Sequence, residues 1–363
     1  MVDYSGRITE FEEELKKTKY NKRTQHHIGI VKAKIARLRD QEEARIRGKS
    51  KGTGYSVRKS GDATAVLVGY PSVGKSTLLN ALTNADSAVG AFDFTTLTVI
   101  PGTLVYNHAK IQILDVPGIV SGAASGKGRG KEVLQVVRST DLIIFVVSVL
   151  NPEHYEALAK ELYDSGVRMN QKRPDVSIKK KARGGISIGS TVPLELTRKT
   201  IVGILQEFRI NNADVVIRSP LSVEEVIDVI EENKLYIPAI TVLNKIDMVR
   251  EEQVSGVERM LRPDVMVSAE KKTNIEMLKE KIFDRLDLMR IFCKEPGKPA
   301  DLNEPMIIKR NATITNVCEK LHKDFVARFK FARVWGASAK FGGQKLMLKH
   351  VLRDNDVVEL HIR

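Results

Sequence analysis

A short glycine-rich motif in the first third of the chain has the residues of a phosphate-binding loop. From Gly69 to Ser76 the sequence has Gly, four residues and then Gly-Lys-Ser. The glycines let the backbone curl so that N–H groups face the phosphates, and the following helix adds the positive end of its dipole. We expect Lys75 to reach the β and γ phosphates and Ser76 to ligate magnesium. The residues predicted to surround the nucleotide here are Gly69, Tyr70, Pro71, Ser72, Val73, Gly74, Lys75, Ser76 and Thr77.

A second motif, Asp115-Val-Pro-Gly118, follows a short apolar run that ends at Leu114. Asp115 could hold magnesium through water, and the Gly118 N–H could contact the γ phosphate. Asp-x-x-Gly alone is usually a turn, but its place at the end of a buried strand after a phosphate loop makes it a strong signal. Between the two motifs, Thr96 is expected to complete the magnesium shell, with Thr95 as the alternative. The residues expected to act on the reacting phosphate are Lys75, Thr96 and Gly118.

The third motif, Asn244-Lys245-Ile246-Asp247, indicates which base is bound. The Asp247 carboxylate can accept hydrogen bonds from guanine N1–H and N2–H₂, a donor pair that adenine lacks at those positions. Ser268 and Ala269 follow the next predicted strand, and the Ala269 N–H is expected to contact guanine O6. The three motifs in this order predict a GTP-binding protein that hydrolyses GTP.

Alternating strand and helix signals place these motifs on an α/β fold with a mostly parallel sheet wrapped by helices. Each motif follows a short apolar run that is typical of a buried strand. The predicted strands are Ala65–Val68, Ile111–Leu114, Leu142–Val147, Ile240–Leu243 and Val265–Val267, and residues Thr77–Leu82 begin the helix that follows the phosphate loop.

Other segments interrupt or flank this core. Residues 1–60 have two apolar stripes at helical spacing and predict a basic helical hairpin with a linker. The stretch from Lys294 to Pro305 contains three prolines and a glycine, which predicts a linker before the last domain. The predicted order is 1–60 hairpin and linker, 61–151 first part of the core, 152–237 inserted α+β subdomain, 238–292 second part of the core, 293–305 linker, and 306–363 a small basic domain.

The charge of the 363-residue chain points to a polyanionic partner. Its formal net charge is +14, of which residues 1–60 carry +8 and residues 306–363 carry +7, so that the remainder has a net charge of −1. Nucleic acid or a ribonucleoprotein is the first candidate, an anionic membrane surface the second, and a solvated basic surface the simplest alternative. There is no apolar run of transmembrane length and no signal-peptide pattern, so we expect a cytoplasmic protein.

Longer stretches around the motifs resemble the developmentally regulated GTP-binding protein (DRG) family of Obg-related GTPases. The similarity spans nearly the whole chain. It is carried by these segments: Tyr20-Asn-Lys-Arg-Thr-Gln-His-His27, Gly69-Tyr-Pro-Ser-Val-Gly-Lys-Ser-Thr77, Phe94-Thr-Thr-Leu97, Asp115-Val-Pro-Gly-Ile-Val-Ser-Gly-Ala123, Gly126-Lys-Gly-Arg-Gly130 and Ala332-Arg-Val-Trp-Gly336.

The resemblance implies a Ras-like P-loop GTPase core with an N-terminal helical hairpin. It also implies an inserted α+β subdomain resembling a ribosomal-protein fold and a C-terminal TGS domain, a ubiquitin-like β-grasp. Ile119 stands where Ras-type enzymes have a water-orienting Gln, which predicts slow intrinsic hydrolysis. Relatives of this kind often use K⁺ held partly by an Asn in the phosphate loop. The matching Ser72 has a shorter oxygen ligand, which leaves the use of K⁺ open.

Three functions are compatible with these observations. The first is a GTP-dependent switch on ribosomes or structured RNA, to which a regulatory protein could also bind. The second is a GTP-dependent scaffold for protein partners with little hydrolysis. The third is a GTPase at a membrane surface, but the sequence shows no lipid-anchor motif and no basic amphipathic anchor, so we expect no stable membrane association. Aromatic residues lie among the basic residues of the last domain, where they could stack on bases or, as we expect for most of them, form that domain's core: Phe325, Phe329, Phe331 and Trp335.

Overall fold

The computed structural model describes residues 4–47, 61–83, 100–116 and 136–363. In chain order the helices are α1 (Tyr4–Lys17), α2 (Gln25–Arg47), α3 (Lys75–Leu82), α4 (His154–Asp164), α5 (Arg198–Glu207), α6 (Val223–Glu231), α7 (Glu251–Leu261), α8 (Ile275–Arg285), α9 (Ile314–Leu321) and α10 (Phe325–Arg328), with a 3₁₀ turn at Ile246–Met248. The strands are β1 (Ala63–Val68), β2 (Ile100–Tyr106), β3 (Ala109–Asp115), β4 (Leu142–Ser148), β5 (Val167–Met169), β6 (Val176–Lys180), β7 (Ile186–Ser190), β8 (Ala213–Ile217), β9 (Leu235–Ile237), β10 (Ala239–Asn244), β11 (Val265–Met266), β12 (Leu288–Lys294), β13 (Met306–Lys309), β14 (Phe329–Trp335), β15 (Gln344–Leu346) and β16 (Asp356–Ile362).

The chain forms two compact units, and each draws on two separate segments. One unit contains Met1–Gly54 and Gln171–Tyr236, and the other contains Tyr55–Asn170 and Ile237–Arg363. The insertion expected at residues 152–237 is therefore shorter in the structure. Helix α4 and strand β5 precede Gln171 and belong to the larger unit.

The larger unit contains a six-stranded sheet of order β11-β10-β4-β1-β3-β2. Its strands are parallel except for β2, which pairs antiparallel with β3 at the edge. Every residue of β1 and β4 is buried, because helices cover both faces of a parallel sheet. The core between sheet and helices is aliphatic, and Leu67, Leu78, Ile113, Ile144 and Leu278 are each almost completely buried.

A second sheet in this unit contains the C-terminal residues, with the order β13-β12-β16-β14-β15. Strand β12 pairs with β13 and β16, so this sheet begins at Leu288, before the linker that we expected at residues 293–305. The reason is the alternation in β12, where Met289 and Ile291 enter the core beneath α9. Among the aromatic residues, Phe325 and Phe329 pack against this core.

The smaller unit joins the N-terminal hairpin to the inserted segment. A three-stranded sheet of order β6-β8-β7 packs against α5 and α6, and Ala33 of α2 lies in the same apolar cluster. Gly29 and Gly203 let α2 and α5 approach closely, because a Cβ at Gly29 would lie 3.0 Å from Thr200 and one at Gly203 would lie 2.9 Å from His26. The insert thus covers the face of α2 that carries Gly29 and Ala33.

Among the described residues, no helix is both long and apolar enough to cross a lipid bilayer.

Candidate nucleotide-binding site

The three nucleotide motifs meet at one edge of the parallel sheet. The phosphate loop follows β1, Asp115 is the last residue of β3, and Asn244 is the last residue of β10. Strands β1 and β3 are paired in register, with Leu67 opposite Asp115. Because the carboxyl ends of parallel strands lie at the same edge, motifs separated by more than a hundred residues come together here.

The phosphate loop turns sharply into helix α3 at Gly74. This residue has φ of 92°, a left-handed conformation that glycine adopts without strain. A Cβ at Gly74 would lie 2.5 Å from Asn244 Nδ2, and a Cβ at Gly69 would lie 2.5 Å from the Val146 carbonyl oxygen. Gly74 is therefore required by the backbone conformation, and both glycines are required by their close neighbours.

Lys75 extends back along the loop that precedes it. Its Nζ donates to the carbonyl oxygens of Gly69 and Tyr70, both at 3.0 Å, and the residue is buried. Burial lowers the pKa of Lys75, and the nearby negative charge of Asp115 opposes that shift. The ammonium group is held inside the loop by acceptors that phosphate oxygens could replace.

Ser76 and Asp115 form the oxygen-rich part of the site. Ser76 Oγ donates to Asp115 Oδ2 at 2.6 Å, although the two residues belong to α3 and β3. A hydroxyl and a carboxylate are hard oxygen ligands of the kind that Mg²⁺ binds, usually with several waters retained. The donor set therefore fits the magnesium role predicted for this pair.

Asn244 connects the base-reading motif to the phosphate loop. Its Nδ2 donates to the Val73 carbonyl oxygen at 2.9 Å, and the residue is only 1% exposed. Lys245 has φ of 64°, and its Nζ donates to the Ser72 carbonyl oxygen at 2.7 Å. Two consecutive residues of the third motif thus fix the backbone of the first.

Asp247 and Ser268 form a polar pair beside this contact. A hydrogen bond from Ser268 lowers the pKa of Asp247 against an opposing effect of burial, so the carboxylate is ionised at neutral pH. Ser268 is completely buried, and its Oγ accepts from the Lys271 N–H at 3.1 Å. The Ala269 N–H, which we expected to contact guanine O6, donates to Asn244 Oδ1 at 3.1 Å. A contact with O6 would have to share or replace that hydrogen bond.

The sequence did not identify His154 as part of this region. Its ring stacks on Tyr70 of the phosphate loop, with centroids 4.3 Å apart and an angle of 27° between the planes. His154 Nδ1 is buried without a hydrogen-bond partner among the described residues. The role of His154 is therefore one of packing against the loop. A lone histidine at the start of a helix gave no signal for it.

Part of the predicted site lies outside the described residues. This applies to Thr96 and its alternative Thr95, and to Gly118 and the neighbouring Ile119. Their roles stay predictions from the sequence. Elsewhere in the described part of the chain, no cluster of three or more His, Cys, Asp or Glu residues could hold a metal ion.

Three family models cover most of the chain. A model described as a 50S ribosome-binding GTPase matches residues 64–181, one described as the C-terminal region of that GTPase domain matches residues 183–288, and a TGS domain model matches residues 289–362. The TGS match begins within β12, at the boundary that the sheet pairing indicates.

Curated relatives align over nearly the full length. An uncharacterised GTP-binding protein of Methanocaldococcus jannaschii is 54% identical over 98% of this chain and 92% of its own length. Developmentally-regulated GTP-binding protein 1 of Xenopus laevis is 42% identical over 98% of each chain, and Developmentally-regulated GTP-binding protein 2 of Bos taurus is 41% identical with the same coverage.

Similarity to solved structures is more distant. The G domain of FeoB from Methanococcus jannaschii is 19% identical and covers 62% of this chain and 99% of that chain, with a TM-score of 0.35. The relatives of similar length carry the assignment instead. The chain belongs to the developmentally regulated GTP-binding protein family, and it is a GTP-binding protein with a P-loop GTPase domain and a C-terminal TGS domain.

Proposed function

We propose that this protein hydrolyses GTP slowly and acts as a nucleotide-dependent switch on ribosomes or structured RNA. The main support for hydrolysis is that Lys75, Ser76 and Asp115 lie together at the phosphate loop. Lys75 donates to carbonyl oxygens of the loop and Ser76 donates to Asp115, over distances of 2.6–3.0 Å. Phosphoryl transfer is catalysed mainly by positioning and by neutralising charge, and these side chains supply both.

Each residue would act on a different part of the nucleotide. Lys75 would exchange its two carbonyl acceptors for oxygens of the β and γ phosphates. Ser76, Asp115 through water, and Thr96 would hold Mg²⁺, which neutralises charge on the phosphates when bound. Gly118 would donate its N–H to the γ phosphate.

Asp247 would select guanine. Its carboxylate is ionised and is oriented by Ser268, which leaves it able to accept from guanine N1–H and N2–H₂. Adenine would leave this polar pair without donors, and an unpaired polar group in a binding site costs about 1–3 kcal/mol. The site should therefore strongly prefer GTP to ATP.

The intrinsic rate should be low because Ile119 cannot hydrogen-bond a water. K⁺ could contribute as it does in some relatives, but the shorter Ser72 side chain would have to hold it in place of their Asn. Comparing hydrolysis in K⁺ and in Na⁺ at equal ionic strength tests this point. Equal rates would mean that Ser72 and its neighbours do not recruit K⁺.

The proposed partner follows from where the charge lies. The first 60 residues and the last 58 carry almost equal positive charge, whereas the residues between them are close to neutral. Charge needed only for solubility has no reason to avoid the GTPase core. A matched family is described as ribosome-binding, which agrees with a ribonucleoprotein partner. The alternative is a GTP-dependent scaffold for proteins that barely hydrolyses.

The experiment is co-sedimentation of the full chain with ribosomes, combined with GTP hydrolysis. Binding should depend on whether GTP or GDP is present and should fall steeply with salt, because neutralised phosphates release counterions. Lys75→Ala and Ser76→Ala should abolish measurable hydrolysis. Absence of binding to ribosomes and RNA at low salt in every nucleotide state would leave the scaffold function in its place. Full hydrolysis by the Lys75 variant would remove the catalytic assignment.

A further inference from the structure

The end of helix α1 and the turn that leads to α2 form an ordered and strongly basic surface. It covers residues 16–24, which we call the hairpin tip. Five of its side chains are cationic and exposed, and they are Lys16, Lys17, Lys19, Lys22 and Arg23. We propose that the hairpin tip binds unpaired RNA, with Tyr20 stacking on a base and these cations contacting the phosphates.

Hydrogen bonds hold the backbone of the hairpin tip in one conformation. Asn21 Oδ1 accepts from the N–H groups of Arg23 and Thr24, both at 2.9 Å. Thr24 Oγ1 donates to the Lys19 carbonyl oxygen at 2.7 Å and accepts from the Asn21 N–H at 2.9 Å. A surface that is ordered before binding loses less conformational entropy when a ligand arrives.

Tyr20 is anchored at its hydroxyl and open at its ring. The residue is 65% exposed, yet its hydroxyl accepts from Gln25 Nε2 at 3.1 Å. Gln25 is 5% exposed, and it is fixed in turn by the insert, because its amide also bonds the Glu195 carbonyl at 3.2 Å and the Thr197 N–H at 3.3 Å. A buried amide within the same compact unit thus holds an aromatic ring at the surface.

The cations of the hairpin tip differ from those further along α2. Lys32, Arg37 and Arg39 each form an ion pair with a glutamate. No such pair involves the five cations of the hairpin tip within the described part of the chain, and the sequence has no acidic residue from 15 to 39. Their charge is therefore available to a polyanion, and each phosphate neutralised contributes to affinity.

An exposed aromatic ring among cations favours unpaired RNA over other polyanions. Bases in a duplex are stacked on one another, whereas unpaired bases can stack on a protein ring. An anionic membrane would need a larger apolar face, and Tyr20 is the only large hydrophobic residue that is exposed in the described part of the two helices and their turn. The inference rests on the proposed ribonucleoprotein function and names the part of the chain that contacts RNA.

The test measures binding of the full-length chain to a short, unstructured fluorescent RNA by anisotropy, across a series of salt concentrations. Tyr20→Ala should raise Kd at least about fivefold, whereas Tyr20→Trp should weaken binding less, because it keeps a stacking ring and loses only the hydroxyl that Gln25 holds. Lys19→Glu combined with Lys22→Glu should weaken binding and should lower the salt slope by about 0.7 for each RNA phosphate that the variant no longer neutralises.

The matched control is Lys160→Glu combined with Arg259→Glu, which changes the net charge equally at exposed positions of the other unit. All variants should keep wild-type GTP affinity, and the charge variants should also keep the wild-type melting temperature. The wild type should bind both RNA and ribosomes. If it does, but the hairpin-tip variants bind RNA with the same Kd as the control variants, this inference fails and the proposed function stands. Absence of wild-type binding to both would defeat both. Hairpin-tip-dependent binding to anionic vesicles, without such dependence for RNA, also overturns the inference.

Discussion

Asn244 and Val73 are joined by a hydrogen bond of 2.9 Å that runs from the base-reading motif to the phosphate loop. The same Asn244 side chain accepts from the Ala269 N–H at 3.1 Å. One buried amide therefore ties together the segments expected to contact the base and the phosphates. The geometry of either segment depends on the other.

Asn244→Ala should weaken GTP binding and lower the melting temperature. The change leaves the Val73 carbonyl and the Ala269 N–H without partners, each at a cost of about 1–3 kcal/mol. GTP affinity measured by titration should fall at least about tenfold, which corresponds to 1.4 kcal/mol. Asn80→Ala, at an exposed position of α3, is the control and should change neither quantity. An unchanged affinity in Asn244→Ala would show that the link is dispensable.

Gly74→Ala should impair nucleotide binding through the backbone. A methyl group there would lie 2.5 Å from Asn244 Nδ2. In addition, the backbone at this position has a φ of 92°, which alanine rarely adopts. Gly256→Ala in helix α7 is the matched control, since nothing lies within 4 Å of the added Cβ. The control should stabilise the fold by up to about 1 kcal/mol, because alanine favours helix over glycine. Equal GTP affinity in both variants would contradict the close approach of Gly74 to Asn244.

Asp247→Asn should weaken GTP binding by at least about 1.5 kcal/mol, since a charge-assisted hydrogen bond is lost. Binding of xanthosine nucleotides should improve, because xanthine has an acceptor where guanine has a donor. Titration with both nucleotides measures the exchange of preference. A variant that keeps wild-type GTP affinity would remove Asp247 from the base-reading role.

The ion pair between Lys32 and Glu224 should stabilise the smaller unit in a pH-dependent way. Burial by itself would raise the pKa of Glu224, but the hydrogen bonds that its carboxylate accepts, chiefly the one from Lys32, and the charge of Lys32 together outweigh this effect, so that the pKa is lowered. A carboxyl with a lowered folded-state pKa adds stability above its ordinary pKa, and that stability is lost as pH falls through the lowered value. Both side chains are partly exposed, so solvent screening limits the coupling to about 1 kcal/mol.

A double-mutant cycle checks this coupling. It combines Lys32→Gln with Glu224→Gln and measures the free energy of unfolding in urea at neutral and at acid pH. The interaction energy should be favourable at neutral pH and should disappear when Glu224 is protonated. A coupling that persists in acid would mean that the two residues interact by packing rather than by charge.

The sequence alone was sufficient to predict the family and the presence of a P-loop GTPase domain and a TGS domain. Their motifs can be recognised because each requires particular residues at fixed, short spacings. Gly74 is needed for a left-handed turn, and Ser76 follows it at a fixed helical spacing. Such requirements leave long, specific patterns in the sequence. Short apolar runs likewise predicted β1, β3, β4 and β10 close to their observed positions.

Only the tertiary structure decided which distant segments touch. Strand β12 belongs to the C-terminal sheet because it pairs with β13 and β16. Both partners come later in the chain, so the residues of β12 alone do not reveal this pairing. The hairpin and the insert share one core because α2 packs its Gly29 and Ala33 face against α5, across more than 160 residues of sequence. Likewise, Tyr70 stacks on His154, and Gln25, which is held by the backbone of the insert, donates to the Tyr20 hydroxyl. Contacts of this kind depend on the complementary shape and polarity of two surfaces, and each segment by itself specifies only one of them.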